Sequence, residues 1–140
     1  MSRMIFVNLP VRDLKASTTF YTALGATLNP QFSGEKSSCM MFSDTIGVML
    51  LTHEHYRQFT QRPIGDARRE SQALLALSVE SRDAVNGTLT QATGAGGSAD
   101  PNPRQDHGFM FSRSVEDPDG NQWEIMWMDP AALAQKPEGA

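Results

Sequence analysis

The sequence predicts an α+β fold made of two βαβββ modules, each of which curls a four-stranded mixed sheet. Along the 140 residues, strand and helix patterns follow the order β-α-β-β-β twice, with about 50 residues in each copy. Both helices also begin in the same way, since an apolar strand and a polar pair lead to Asp13 and to Ser81. The two halves share little sequence identity, so the order of the elements carries the prediction of a repeat.

The first module has one predicted strand before its helix and three after it. Residues 4–11 are rich in β-branched and apolar side chains, which is typical of a strand. Asp13 is placed to cap a helix over 14–24, and Gly25 is placed to end that helix. Turn residues then separate predicted strands at 26–32, 38–43 and 45–52.

A polar connecting loop at 54–71, with a short helix predicted at 54–59, leads into the second module. A strand is predicted at 72–79, a helix capped by Ser81 at 82–93, and further strands at 97–100, 109–115 and 122–128. We therefore expect one domain over residues 1–130, with module one at about 3–53 and module two at about 72–129. Residues 131–140 are expected to form a flexible tail.

The composition is that of an ordinary globular protein, with 39% hydrophobic and 20% charged residues. The net charge of −4 gives no basic face, so we expect neither nucleic acid nor a membrane as a partner. The single cysteine, Cys39, excludes a disulfide within the chain. No apolar run reaches the roughly 18 residues of a membrane-spanning helix. Met1-Ser2-Arg3-Met4 also lacks the apolar core of a signal peptide, so we expect a cytoplasmic protein.

Residues 115–124 (VEDPDGNQWE) form the most specific motif of the chain. Pro118 presets its backbone for a turn, and Asp119-Gly120 supplies a left-handed position. The carboxylates of Glu116 and Asp117 can accept hydrogen bonds from the turn amides. The motif therefore predicts a hairpin that delivers Glu124 onto a strand in a defined register.

This hairpin resembles the last hairpin of the glyoxalase/bleomycin-resistance/extradiol-dioxygenase superfamily, also called the vicinal oxygen chelate superfamily. Residues 11–17 (VRDLKAS), with Phe20-Tyr21 and Leu24-Gly25, resemble the first strand-to-helix segment of that family. The resemblance covers about residues 4–129 and is greatest to the branch of predicted lactoylglutathione lyases. It implies that the two modules form a cupped sheet.

The resemblance also implies where metal ligands would stand. Metal-dependent members take two ligands from each module, and their metal holds two substrate oxygens while a carboxylate moves a proton. Glu124 falls on one of these positions and matches it. Phe6, Leu50 and Leu74 fall on the other three and cannot bind a metal. We therefore expect an incomplete metal site and name no cofactor, and the binding of a divalent metal remains an open alternative.

Glu124 and His107 are the catalytic candidates. Glu124 would serve as a base or as an anchor for a ligand, and the alternative is a structural carboxylate bonded to Asn8, Gln122 or the backbone. Asp106 beside His107 can orient its imidazole, and the alternative is a loop histidine of purely structural use. His53 and His55 are interpreted as surface residues at the start of a helix.

Strand periodicity predicts which residues share a face with the ligand positions. That face forms an apolar cup with a few polar groups, suited to a small and partly apolar molecule. Its predicted ligand-binding residues are Phe6, Asn8, Leu50, Thr52, Leu74, Gln122 and Met126. Open sheet edges and exposed apolar faces would be covered by a homodimer.

Three functions remain open at the level of sequence. The first is a protein that binds a small molecule in an apolar cup with an incomplete metal site. The second is a lyase or isomerase of the lactoylglutathione lyase type, which uses Glu124 with non-standard metal ligands such as His107. The third is a structural or regulatory dimer without a ligand. The loop over 54–71 carries no motif that identifies a substrate.

Overall fold

The computed structural model describes residues 2–133. Its first module contains one helix and four strands, and a 3-10 turn over Pro30–Phe32 follows the second strand. These elements are β1 (Ile5–Val11), α1 (Leu14–Leu24), β2 (Thr27–Asn29), β3 (Ser37–Met41) and β4 (Ile46–Thr52). The remaining elements are α2 (His53–Tyr56), β5 (Leu75–Ser78), α3 (Arg82–Gly94), β6 (Ser98–Ala99), β7 (Gln105–Asp106), β8 (Met110–Glu116), β9 (Gln122–Met128) and α4 (Pro130–Leu133).

The strands form two mixed sheets, one in each module. The first sheet has the order β1-β4-β3-β2, and the second has the order β5-β9-β8-β6, with β7 also paired to β8. In both sheets the first strand runs parallel to the last one and the other pairs are antiparallel. The predicted α+β class and the doubled βαβββ order are therefore confirmed.

The predicted starts of both long helices are also confirmed. The Asp13 side chain accepts a hydrogen bond from the amide of Ala16, and the Ser81 side chain accepts one from Ala84. Each cap satisfies a backbone amide that has no partner within its own helix. Gly25 ends α1 in the left-handed conformation with φ 116°.

The largest differences from the predicted boundaries, of three residues each, concern β2, α2 and β5, and most other boundaries shift by one or two residues. β2 ends at Asn29, because the Asn29 side chain accepts from the amide of Gln31 and begins the 3-10 turn. α2 ends at Tyr56, and β5 begins only at Leu75. β7 was not predicted, since two residues are too few for a periodic pattern. The helix α4 (Pro130–Leu133) extends into the predicted tail of 131–140, and residues 134–140 lie outside the described residues.

One hydrophobic core extends through both modules. The buried faces of α1 and α3 pack on each other and on the two sheets. The largest side chains in this core include Phe20, Tyr21, Leu50, Leu89, Ile125 and Trp123. Among the described residues, no helix combines the length and the apolar character that crossing a bilayer requires.

The predicted face of β4 was wrong by one residue. Phe6 lies beside Gly47 and Asn8 beside Met49, whereas Leu50 lies beside Leu9. Leu50 is fully buried in the core, so its side chain points toward the helices and away from the face that carries Phe6 and Asn8. Successive side chains of a strand alternate between faces, so a shift of one residue in register exchanges the two faces. The sequence of β4 is apolar on both faces and could not reveal this register.

Candidate functional site

The open face of the second sheet carries a cluster of polar groups around Glu124. Glu124 pairs with Ala76 of β5 on one side and with Ser114 of β8 on the other. The side-chain amide of Asn102 donates to Gln122 at 2.9 Å and makes a longer contact of 3.5 Å to Glu124. A hydrogen bond of 3.5 Å is weak, so the half-buried Glu124 carboxylate is only loosely held.

Asn102 lies in the loop that precedes β7, and this loop brings it close to Glu124. The backbone amide of Asn102 donates to the hydroxyl of Ser114 at 3.0 Å, which fixes the loop against β8. Pro101 and Pro103 flank Asn102, and their rings fix two φ angles of this bent loop. Asn102 was not among the predicted site residues, and its position between two prolines is the one local signal of its role. The side chains that were predicted as partners, Asn8 and Gln122, make no hydrogen bond to Glu124.

A cavity of about 250 Å³ lies where the two modules meet. We call it the seam cavity. It is bounded by β1, the second half of the connecting loop, the start of β5 and the turn before β9. Its lining comprises Val7, Asn8, Leu9, Pro10, Tyr56, residues 65–67 and 70–73, Leu75 and residues 120–122. Amide side chains among apolar ones give a surface suited to a small, partly apolar molecule.

The turn that borders the seam cavity is held by contacts from distant parts of the chain. The Arg68 guanidinium donates to the carbonyl of Pro118 at 2.6 Å. Gly120 has φ 94°, and a Cβ atom there would stand 2.5 Å from the Arg68 side chain. Only glycine both adopts this positive φ angle readily and leaves space for the Arg68 side chain. Gly120 therefore allows the connecting loop to pack against the turn.

The two segments that carry the family resemblance contact each other directly. Asp119 accepts from the amide of Arg12 at 3.0 Å and from the hydroxyl of Ser17 at 3.4 Å. Asp117 accepts from the Tyr21 hydroxyl at 2.7 Å. The hairpin therefore docks onto α1 through both aspartates, with Asp119 at the start of the helix and Asp117 in its second half, and this places β9 relative to β1.

Asp117 is the most buried charged group of this junction. Its carboxylate accepts from the amides of Asp119 and Asn121 and from the Asn121 side chain, as well as from Tyr21. Burial raises the pKa of Asp117 above its ordinary value, although these hydrogen bonds act to lower it. Burial and the neighbouring Asp117 raise the pKa of Tyr21 as well. The buried contact of Asp117 with Tyr21 therefore joins the two modules, and Asn121 connects it to the lining of the seam cavity.

The structure does not bring His107 and Glu124 together. The amide of His107 donates to the carbonyl of Met110. Met110 lies four residues before Ser114, the partner of Glu124 in the sheet, which corresponds to about 13 Å along the strand. The exposed His107 ring stacks on Phe109 instead. Asp106, predicted to orient His107, forms a bidentate pair with Arg82, and this pair lowers its pKa to about 2.

The predicted ligand-binding residues separate into four groups. Asn8 and Gln122 line the seam cavity. Met126 lies on the same sheet face as Glu124, and Leu74 is exposed just before β5. The prediction for Leu50 and Thr52 needs correction. Leu50 belongs to the core, and the Thr52 hydroxyl caps α2 by accepting a hydrogen bond from the amide of His55. Phe6 lies on the first sheet, where it lines a separate groove.

The donors around Glu124 do not fit a divalent metal ion. Its nearest polar neighbours are the neutral side chains of Asn102, Gln122 and Ser114. Within residues 2–133, no three His, Cys, Asp or Glu residues form a group that could hold a metal. His53 and His55 lie two residues apart on α2, so they point to different sides of the helix. No metal-dependent step is therefore assigned to Glu124.

Known structures share this fold. A hypothetical protein, SA1046, from S. aureus has a TM-score of 0.74 at 22% identity, over 91% of this chain and 95% of that one. A glyoxalase-related enzyme from Fulvimarina pelagi has a TM-score of 0.73 at 21% identity, over 91% and 88%. A glyoxalase/bleomycin resistance protein/dioxygenase family enzyme from Burkholderia phytofirmans PsJN has a TM-score of 0.72 at 20% identity, over 91% and 99%.

No curated protein matches the chain. The model of the Glyoxalase/Bleomycin resistance protein/Dioxygenase superfamily matches residues 3–125. This match includes both segments that carried the resemblance, the whole first module and most of the second. The chain therefore belongs to the Glyoxalase/Bleomycin resistance protein/Dioxygenase superfamily.

Proposed function

We propose that this protein binds a small, partly apolar molecule in the seam cavity and along the adjoining face of the second sheet. The main observation that supports this proposal is the seam cavity, in which Asn8 and Gln122 lie among apolar side chains. Gln122 also connects the cavity to Glu124, because Asn102 donates to both. Glu124 stands two residues further along β9, or about 7 Å, within reach of a ligand that extends out of the cavity.

The charge of the site favours a neutral or cationic group on the ligand. Asp66 and Glu70 line the cavity, and Glu124 and Arg68 stand beside it. Among the described residues, no lysine or arginine belongs to the lining itself. An amine or a hydroxyl can donate to the loosely held Glu124 carboxylate, and a carbonyl can accept from Gln122.

The free Cys39 and the absence of any disulfide partner support the further proposal of a cytoplasmic protein.

A fragment screen by two-dimensional NMR tests this proposal. We expect hits to shift the amide signals of residues lining the seam cavity. Gln122→Leu should weaken the best hit about fivefold, because one buried hydrogen bond is worth roughly 1 kcal/mol. Gln91→Leu, on the exposed side of α3, is the matched control and should leave the affinity unchanged. Hits that shift only residues elsewhere, or that bind Gln122→Leu unchanged, would contradict the proposal.

A second candidate function is a lyase or isomerase of the lactoylglutathione lyase type. The observation that favours it is the Glu124 carboxylate, whose only contact in the cluster is the 3.5 Å approach of Asn102. A carboxylate held this weakly can accept a proton from a bound substrate.

Turnover of the hemithioacetal of methylglyoxal and glutathione separates the two candidates. If the protein is a lyase of this type, it should turn over the hemithioacetal, and Glu124→Gln should abolish that turnover. Glu35→Gln, in an exposed turn of the first module, is the control. Elemental mass spectrometry after exposure to nickel, zinc, manganese and iron, with an EDTA arm in the assay, shows whether a metal takes part. Binding without turnover selects the first function and excludes the second.

A further inference from the structure

The first sheet carries a groove that is separate from the seam cavity. It has a volume of about 300 Å³ and lies on the face of the sheet opposite to α1. Its lining residues are Met4, Phe6, Asn29, Phe32, Cys39, Met41 and Met49. We call it the sulfur groove, because four of these side chains contain sulfur.

The sulfur atoms are concentrated around Cys39. Cys39 pairs directly with Met49 on the adjacent strand β4, so their side chains lie next to each other on one face. Met41 follows two residues along β3 on the same face, and its Sδ lies 3.7 Å from the Cys39 Sγ. Gly47 makes room for this arrangement, since a Cβ atom there would stand 2.7 Å from the Met41 sulfur.

The remaining lining residues exclude a site for hard cations. They include no carboxylate and no imidazole, and Asn29 is the single amide among them. Magnesium, calcium and manganese prefer oxygen donors, whereas thiolates and thioethers select soft ions such as Cu(I). The sulfur donors of the groove therefore favour soft metal ions over hard ones, although Cys39 is the one ionisable side chain in the lining.

Charge balance further restricts the ion to a monovalent one. A thiolate neutralises one positive charge, and thioethers contribute none. A divalent ion would leave a net charge in an apolar groove, which is costly, whereas a monovalent ion leaves the site neutral. The spacing fits as well, because a metal–sulfur distance of about 2.3 Å on both Cys39 and Met41 gives an angle of about 107° at the ion.

We propose that the sulfur groove binds one soft monovalent metal ion, Cu(I) or Ag(I), through the Cys39 thiolate and the thioethers of Met41 and Met49. The ion replaces the thiol proton, which leaves to solvent, and no electron is transferred. Met4 at the open rim supplies a further thioether. This site is independent of the proposed ligand in the seam cavity.

An anaerobic competition titration tests the site. Cu(I) is presented to the whole chain in the presence of the chelator bathocuproine disulfonate, and Ag(I) binding is followed in parallel by calorimetry. We expect one ion per chain and absorbance in the near ultraviolet from the bond between Cu(I) and the thiolate. Cys39→Ser should weaken binding by more than about 100-fold, the upper end of what loss of an outer-shell partner costs.

The double variant Met41→Leu/Met49→Leu keeps the volume of the groove and removes two thioethers. It should weaken Cu(I) binding while leaving the thiol in place, and it decides the proposal if Cys39→Ser does not fold. Met128→Leu on the second sheet is the matched control and should bind as the wild type does.

Three outcomes would overturn the proposal. They are equal binding by the wild type and the Met41→Leu/Met49→Leu variant, Cu(I) retained by a folded Cys39→Ser protein, and nickel or zinc held as tightly as Cu(I). None of these results depends on the fragment screen, so the failure of one proposal leaves the other intact.

Discussion

At the residue scale, the Tyr21 hydroxyl stands at the centre of the contact between the two modules. It donates to Asp117 at 2.7 Å and accepts from the indole of Trp123 at 3.0 Å. The Tyr21 and Trp123 rings meet edge to face, with centroids 5.9 Å apart. One buried oxygen thus satisfies a carboxylate from the hairpin and an indole from β9.

Tyr21→Phe removes this oxygen and leaves both partners buried without it. We expect the free energy of unfolding to fall by about 1–3 kcal/mol, because a buried polar group that loses its partner bears its full cost of desolvation. Tyr56→Phe is the control, since the Tyr56 side chain is only partly buried. Urea unfolding of both variants measures the difference. Equal stability of the two variants would show that the Tyr21 hydroxyl does not stabilise the junction.

At the scale of elements, the end of α3 depends on a glycine that other elements approach closely. A Cβ atom at Gly97 would stand 2.5 Å from the Phe20 ring, 2.9 Å from the Ala92 carbonyl and 3.0 Å from the Glu116 carbonyl. Two of these neighbours are backbone atoms and cannot move aside cheaply. Gly94, three residues earlier in the helix, has open space at the same position.

Gly97→Ala and Gly94→Ala should therefore change stability in opposite directions. We expect Gly97→Ala to destabilise the protein by about 1–3 kcal/mol through overpacking. Gly94→Ala should stabilise it by up to about 1 kcal/mol, because alanine restricts the unfolded chain and favours the helix. Thermal unfolding of both variants tests the pair. A stable Gly97→Ala protein would mean that α1 and β8 can separate without cost.

A second element-scale contact ties the start of α3 to β7. The Arg82 guanidinium binds both carboxylate oxygens of Asp106 and lies over the Phe111 ring, with its central carbon 4.6 Å from the ring centroid. The hydrogen bonds from Arg82, followed by that from the Gly108 amide, lower the pKa of Asp106 to about 2. The Arg82 side chain of α3 therefore holds the short strand β7 in position through Asp106.

This pair predicts a stability difference that depends on pH. The pKa of Asp106 is lower in the folded than in the unfolded state, so the pair stabilises the protein above about pH 4 and loses that effect as the pH falls toward 2. The wild type should exceed Asp106→Asn in urea midpoint at pH 6, and the gap should narrow between pH 4 and 2. Asp44→Asn in an exposed turn is the control. A gap of constant size would contradict the assignment.

At the scale of the whole molecule, apolar surface is left uncovered. Ile5 is 59% exposed and Ile46 is 41% exposed, although the two residues form a direct cross-strand pair at one end of the first sheet. Phe32, Leu74 and Phe109 also expose half or more of their side-chain surface. Exposed apolar patches of this kind commonly mark contacts between subunits.

We expect the protein to form a homodimer in solution that covers the pair of Ile5 and Ile46. Light scattering should give twice the mass of one chain for the wild type. Ile5→Glu/Ile46→Glu should give the mass of a single chain, because charged side chains at a buried contact are costly. Gln91→Glu on the exposed side of α3 is the control and should remain dimeric. A wild-type protein with the mass of one chain would refute the prediction.

The sequence by itself determined the elements that depend on neighbours in the chain. The caps at Asp13 and Ser81 and the turn at Gly120 use hydrogen bonds and dihedral angles that span a few residues, so their side chains identify them directly. The βαβββ order, the fold class and the superfamily follow from these signals. Glu124 was placed on the open face of its sheet for the same reason, because the turn sets its register.

Only the tertiary structure decided which residues meet across long distances. The register of β4 against β1 placed Leu50 in the core, since an apolar strand gives no local signal of its face. The contact of Asn102 with Glu124 and the seam cavity join segments that are far apart in sequence. Such contacts depend on how whole modules pack, and no short stretch of sequence contains that information.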